Sequence, residues 1–388
     1  VLTPEEIEQC RESIRDCTRR DFSVLEELRT EIRPLRSRAI AIKPRSATAV
    51  SLVAADGGNN RLEYDPFMFH FVRVNDSYGK LLSLEIISPT TDTDLLSARQ
   101  FDSDGNPATD LGRLMSDLGL RKAHLSELSP MIPRGDLIRT SPERVSASWV
   151  QVYRDLVEWA VLYRLIRDQR FATDTLIVRD GLLRSKIFAR DLFIVMISKM
   201  EESIKAIYER DRRKVFLVGI AKHSKVLQRY HLALSLEDVL PANAPRFVRI
   251  PEDLEAKAYV WDEWARGRET AEEGQEKPKF KAGQMYFVRF GSRSSDPIWT
   301  VDVLDSQKQY EQEIFGYLLQ DAMDGFPVPY YPRCLQSAHE HASLTSFDMS
   351  ILQREITESI REMVPESHKP LIDRIQLETE NAARRRLR

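Results

Sequence analysis

The chain has 388 residues, 42% hydrophobic and 30% charged, with 57 Lys and Arg against 60 Asp and Glu and a formal net charge of -3. This composition excludes a disordered chain and leaves any polyanion-binding surface to local patches rather than to global charge. The cysteines, Cys10, Cys17 and Cys334, offer neither a disulfide framework nor a Cys-x-x-Cys metal knuckle, which fits a reducing cytoplasm, and the longest apolar run, "LFIVMI" at 192–197, is too short to span a bilayer.

Thr3-Pro4-Glu5-Glu6 has the form of an N-cap, a proline at the first helical position and two acids that suit the helix dipole. It predicts a helix to about Leu28, packed against the body or a second subunit, and reads as a helix rather than a signal peptide. The basic stretch at 33–46, "RPLRSRAIAIKPRS", reads as a solvated linker rather than a DNA contact. Strands are expected at 51–56, 67–74 and 81–87, and their short connections favour an antiparallel meander. Turn chemistry dominates 90–142, an expected insertion holding short helices. Apolar residues then recur at helical spacing over 146–170.

Strand, helix and strand follow at 175–178, 191–210 and 214–220, a rhythm that suggests parallel strands with helical crossovers. The region 241–281 is poor in strand signal, and "RGRETAEEGQEKPKFKAG" at 266–283 reads as an exposed loop. Strands return at 284–290 and 298–304, before a helix near 309–321 and a proline-rich segment. The tail from 352 is charged and helical, with the basic end "NAARRRLR" read as solvated.

Two strands far apart in the chain are expected to end in the same way. "SLVAADGG" leads into Asp56 and "TLIVRDG" into Asp180, each followed by glycine. Neighbouring strands would bring both carboxylates to one edge of the sheet, while glycine permits the sharp turn and close approach. Either copy alone is also an ordinary Asp-Gly turn. Glu158 shares a helix face with Val161, Leu162 and Leu165, so it needs either a cation or a neighbour such as Arg154; Asp155 points elsewhere. Three carboxylates suit Mg²⁺ or Mn²⁺, which take oxygen ligands.

His339 and His341 in "CLQSAHEHA" are candidates for a metal ligand or a proton-transfer group, and equally for surface histidines. Lys222 follows a strand, with His223 and Lys225 beside it, and can hold a phosphate or be a solvated turn residue. The set suits metal-assisted phosphodiester hydrolysis. No phosphate-binding Gly-x-x-x-x-Gly-Lys-Ser/Thr loop, dinucleotide fingerprint or His-Glu-x-x-His helix occurs.

In order and setting these motifs resemble the NurA nucleases. "VAADGGNN" looks like the family's first motif, and "LVEWAVLYRLI" followed by "TLIVRDGLLRSK" looks like its helical glutamate and second Asp-Gly motif. "VFLVGIAKHSKVL" resembles its glycine-to-lysine segment, and "GFPVPYYPRCLQSAHEHASL" its closing proline-rich motif. The resemblance spans about 46–345 and implies an α/β fold, an RNase H-like core with a mixed sheet: an antiparallel meander, then parallel strands, with helical additions. Together with the patterning along the chain, it gives an N-terminal helix and basic linker over 1–45, a nuclease domain over 46–350 with insertions around 90–142 and 241–282, and a helical tail over 351–388.

The implied activity is a DNA nuclease dependent on Mn²⁺ or Mg²⁺, trimming 5′ ends and cutting single strands in double-strand-break repair. The implied partners are DNA, a second copy in a homodimer, and a hexameric HerA-like DNA-translocating ATPase, with no membrane. Carried onto this sequence, the metal-site acids are Asp56, Glu158 and Asp180, the closing histidine is His339, the lysine is Lys222, and the active-site tyrosine is Tyr331, with Tyr330 competing. Gly58 stands where the family often has serine. Two other readings keep a similar fold: a non-catalytic nucleic-acid-binding or scaffold subunit, and an RNase H-like hydrolase acting on RNA.

Overall fold

The computed structural model describes residues 2–46, 51–64, 67–168, 170–258 and 279–372; the side chains of 51–59, 64, 346 and 371 are outside that description. Most of the loop expected at 266–283, and the basic end at 381–388, lie outside the described residues. The chain divides into two units. One comprises Val1–Val50, Arg179–Arg184 and Phe216–Arg333; the other comprises Ser51–Val178, Ser185–Val215 and Cys334–Arg388.

In the first unit, helix α1 (Pro4–Ile32) opens with a complete capping box between Thr3 and Glu6. It continues past the expected end because Ile32 is buried, together with Leu35, in a cluster with Val226, Tyr230 and Leu234 of α8 (Lys225–Leu236). Glu237, after α8, accepts hydrogen bonds from Arg29 and Arg33 at 2.7 Å each. Arg36 pairs with Asp238. The stretch read as a solvated linker is therefore a 3₁₀ turn (Arg33–Arg38) tied down by ion pairs, followed by a short strand, β1 (Ile40–Ala41). From Pro4 to Val24 α1 is exposed.

The strands of this unit run in the order β1, β7 (Arg246–Arg249), β8 (Gly283–Arg289), β9 (Ile298–Leu304) and β6 (Val215–Ala221), all paired antiparallel. β8 and β9 are buried along their whole length, because helices cover both faces. On one face Met285 and Phe287 join the α8 cluster with Leu254 of α9 (Glu252–Ala258). On the other, Phe315 of α10 (Glu311–Met323) stacks at 4.5 Å on Phe247 and edge-on at 5.1 Å against Tyr286. β7 lies where little strand signal was found.

The second unit contains the expected meander: β2 (Ser51–Tyr64), β3 (Phe67–Asp76) and β4 (Leu81–Ile87), paired antiparallel. β5 (Thr175–Asp180) neighbours β2. Short helices α2 (Thr93–Ala98), α3 (Asp110–Asp117), α4 (Leu125–Leu128) and α5 (Gly135–Thr140) fill the expected insertion. α6 (Trp149–Asp168) packs over the meander, and Tyr153 donates a hydrogen bond to Glu85 of β4. Trp159 meets Phe193 of α7 (Leu192–Asp211) edge-on at 5.3 Å. α11 (Arg333–Ala342) and α12 (Ser346–Met363) follow, and Ile356 of α12 closes a cluster with Leu62 and Phe71. A last short helix, α13, spans Lys369–Ile372.

β5 and β6 run parallel. Thr175 N donates to Lys214 O in the second unit and Gly181 N to Ile220 O in the first, with the same sequence offset at both. The strands thus form a mixed sheet, with antiparallel pairs and a parallel β5–β6 pair, decorated by helices. No helix among the described residues is long and apolar enough to cross a membrane.

Candidate functional site

β5 ends on Asp180 as expected, and Gly181 turns the chain away with φ +113, a backbone region that side-chain-bearing residues avoid. The turn is braced from below by Arg179, whose Nη1 donates to Leu182 O at 3.0 Å. The Asp180 carboxylate meets two of the predicted residues. Lys222 Nζ, just past the end of β6, lies 3.1 Å from Oδ2, and the Tyr331 hydroxyl donates to Oδ1 at 3.0 Å. The same ammonium sits 4.9 Å from the centroid of the Tyr331 ring, a cation–π arrangement. Parallel β5 and β6 deliver Asp180 and Lys222 side by side at their C-terminal ends, the edge at which open α/β sheets bind ligands.

Tyr331 is fully buried, whereas Tyr330 is half-buried and adopts φ +55. The structure thus selects Tyr331 over its neighbour as the residue that meets Asp180. Trp299 of β9 holds it there: its ring packs on Tyr331 with centroids 4.9 Å apart, and its Nε1 donates to Tyr330 O at 2.7 Å. Trp299 was not singled out in the sequence, where it is one more large residue in an apolar strand.

The other predicted residues belong to the second unit. β2 does not end at Asp56. It runs on through Gly57 and Gly58 to Tyr64, with Asp56 paired to Asn75 and Leu62 to Phe69 of β3. Glycine has no side chain to oppose an extended backbone, and the partner strand supplies the ladder, so a pattern read as a turn is held as mid-strand. The side chain of Asp56 lies outside the described residues. Glu158 lies on α6, which packs against β2, and its side chain is 13% exposed. Its Oε1 is 3.2 Å from Arg154 Nε one turn earlier, the plainer of the two partnerships expected for it. Asp155 also contacts Arg154, at 3.4 Å.

His339 and His341 both lie exposed on α11. Being two residues apart on a helix, they point to opposite sides, and the His341 ring lies against Gly79 in the turn between β3 and β4. The end of α11 is fixed by Asn60 of β2, which donates to Ala342 O at 3.2 Å and accepts from Leu344 N at 3.0 Å. Among the described residues, no group of three or more His, Cys, Asp or Glu side chains is arranged to hold a metal ion.

A second charged cluster, which the sequence reading did not single out, lies directly after Asp180. Arg184 grips Asp302 of β9 with two hydrogen bonds of 2.7 Å, and Leu183 N donates to Asp302 Oδ2 at 3.0 Å. Arg184 also pairs with Glu255 of α9, and Lys281 Nζ reaches Glu255 at 3.2 Å. Asp302 is wholly buried. Burial pushes its carboxyl up while Arg184 opposes it; burial likewise works against Glu255, where Arg184 and Lys281 win and hold it below the usual carboxylate value. A lone acid inside the apolar strand "IWTVDVL" was the available signal.

Magnitude separates the two clusters. Asp180 and Lys222 are half-buried, at 20% and 35% exposure, and a pair that water still reaches contributes on the order of 1 kcal/mol. Lys222 can leave Asp180 for another anion at little cost. Removing one partner from a buried, bidentate pair such as Arg184–Asp302 costs about 3–5 kcal/mol. The first contact is exchangeable and the second is fixed.

No family model and no curated protein matches the chain. Among solved structures, it is similar to the NurA nuclease from Sulfolobus solfataricus, at 12% identity and TM-score 0.44, covering 92% of this chain and 98% of that one. It is similar to NurA bound to dAMP and manganese, at 14% identity and TM-score 0.37, covering 93% of this chain and 99% of that one. For NurA with manganese the values are 14% and 0.38, covering 91% and 99%. Likeness at this level does not establish membership in the family.

Proposed function

We propose that the protein is a divalent-metal-dependent DNA nuclease that processes the ends of double-strand breaks, with 5′-to-3′ exonuclease and single-strand endonuclease activity. The observation that carries this reading is the Asp180 carboxylate at a strand end, held by an exchangeable ammonium and a buried tyrosine hydroxyl. The ordered motifs resembling the NurA nucleases support it. Asp180 offers two hard oxygen atoms, one of them meeting only Lys222 among the described residues, so it fits Mn²⁺ or Mg²⁺, with Asp56 and Glu158 as the other acids of the site and His339 as a ligand or proton-transfer group. When bound, such an ion supplies charge for the phosphate and an acidified water.

The chain's own groups do the rest. Lys222 leaves Asp180 and steadies the scissile phosphate. Tyr331 keeps its hydrogen bond to Oδ1, so the carboxylate stays oriented after Lys222 has moved. Glu158 orients water once free of Arg154, which becomes available to a DNA phosphate.

The partners proposed are a HerA-like translocating ATPase and a second copy of the chain. An exposed seam on α1 favours the second copy. Ile7, Cys10, Ile14, Cys17 and Val24 follow alternating steps of three and four, broken only by Asp21, and all are exposed. Oxidation should cross-link two chains through Cys10 and Cys17; a strictly monomeric mass in sedimentation would sink the dimer.

The deciding experiment is cleavage of end-labelled single- and double-stranded DNA, with RNA alongside, in Mn²⁺, Mg²⁺ or EDTA. Metal-dependent cutting of DNA should disappear in Asp56→Asn and in Asp180→Asn. A folded parent that binds DNA and cuts nothing with either metal, alone or with its ATPase, would refute the enzyme and favour a binding subunit. Cutting confined to RNA would favour the other rival.

A further inference from the structure

The five residues Asp180 to Arg184 carry a strand end, a turn and an arginine. They descend onto the sheet over two facing positions of the β6–β9 pair, Gly219 and Asp302. Gly219 leaves the space for them: a Cβ there would stand 2.4 Å from Gly181 O and 2.8 Å from Leu183 N. Asp302 fills the neighbouring position with acceptors, taking Leu183 N on one oxygen and Arg184 on both. Ala282 N donates to Leu183 O at 2.9 Å, and Glu255 and Lys281 complete a ring of two positive and two negative side chains.

We infer that Asp302 and Arg184 are positioning residues for Asp180: their buried pair fixes the turn after β5 and thereby holds the Asp180 carboxylate against Lys222 and Tyr331. The pair touches neither Lys222 nor Tyr331 by any contact described above and acts through the backbone of 181–183. A carboxylate on a mobile turn would sample positions that differ by more than a productive site tolerates, whereas one whose turn is pinned two and three residues later does not. The activity arm of the test rests on the nuclease reading; the labelling arm does not.

The test removes both charges together, because a lone buried charge would unfold the unit while a neutral pair need not. Asp302→Asn/Arg184→Gln keeps an acceptor for Leu183 N. Lysine acetylation with a succinimidyl ester, read by peptide mass spectrometry, compares the parent, this double variant and Asp180→Asn. In the parent the Lys222 amine must break its contact with Asp180 to react. Loss of positioning should speed Lys222 acetylation by up to about fivefold, approaching the Asp180→Asn rate, with Lys225 unchanged as the internal reference. For cleavage, kcat should fall at least tenfold with the KM for single-stranded DNA unchanged.

A folded double variant whose Lys222 reacts at the parental rate overturns the inference, whatever its activity. A parent that does not cleave, alone or with its ATPase, sinks the nuclease reading instead, and the Lys222 rates still decide the positioning role. Should the double variant not fold, Arg184→Lys keeps both charges, gives up the two-point grip on Asp302 and carries the same measurements.

Discussion

Gly219→Ala offers a sharp test of how tightly the turn after Asp180 is seated. The added methyl would lie 2.4 Å from Gly181 O, 2.8 Å from Leu183 N and 2.9 Å from Leu182 C, all backbone atoms. Comfortable contact with heavy atoms needs about 3.5 Å, so the turn must lift by about 1 Å. Two effects oppose each other. Alanine in a strand is favoured over glycine by about 0.5–1 kcal/mol, through the unfolded chain. Overpacking against atoms that cannot swing aside costs about 1–3 kcal/mol, and the lift also strains the 2.7 Å bond from Gly181 N to Ile220 O. The clash wins, leaving a net loss of up to about 2.5 kcal/mol. A 1 Å displacement of a reacting group costs up to about 10²-fold in rate. Urea unfolding and metal-dependent DNA cleavage read the two quantities separately, and the expected variant is modestly destabilised yet severely impaired in kcat. Parental midpoint together with parental rate would refute the close seating of the turn over Gly219.

Tyr331→Phe keeps the ring between Trp299 and Lys222 and removes only the hydroxyl. A hydrogen bond to a charged group contributes about 1.5–3 kcal/mol to stability, so the urea midpoint should fall, and on the proposed nuclease reading cleavage should fall about tenfold with it; an unaltered rate would exclude a role for the hydroxyl. Glu237 supplies a pH test. Hydrogen bonds from Arg33 and then Arg29 hold its carboxyl at about 2, below the ordinary 4.5. A depressed carboxylate stabilises above its unfolded value, and the contribution disappears as pH falls from 4.5 toward 2. The urea midpoints of parent and Glu237→Gln should therefore differ at pH 7 and converge near pH 2. A gap independent of pH would show that the arginines do not act through the carboxylate charge.

The elements with strong periodicity were legible. α6, α7, β6 and the meander emerge from apolar spacing alone, because each buries one face against a neighbour formed by similarly patterned residues. β7 was not legible: Arg246-Phe247-Val248-Arg249 has two apolar residues, and its strand exists through pairing with β1 and β8. The two Asp-Gly motifs show how far local chemistry reaches. At Gly181 the residue adopts a conformation that suits only glycine, and the strand stops. At Gly57 the partner strand β3 continues, so the ladder continues with it. Nothing local distinguishes the two cases; the difference lies in what stands beside them.

The same contrast explains which site residues could be read. Asp180 and Lys222 were found because each follows an apolar strand and interrupts it with a charge. Asp302 interrupts a strand as plainly, but from its middle, where a carboxylate has no route to solvent. Such a residue must be met by a cation that the fold delivers, and Arg184 is delivered by the chain that has just left Asp180. Under the proposed function, five consecutive residues thus begin with a carboxylate that exchanges partners and end with a guanidinium that does not. On the proposed reading, a half-buried pair worth on the order of 1 kcal/mol serves the reaction because a buried one, costing about 3–5 kcal/mol to break, keeps its backbone still.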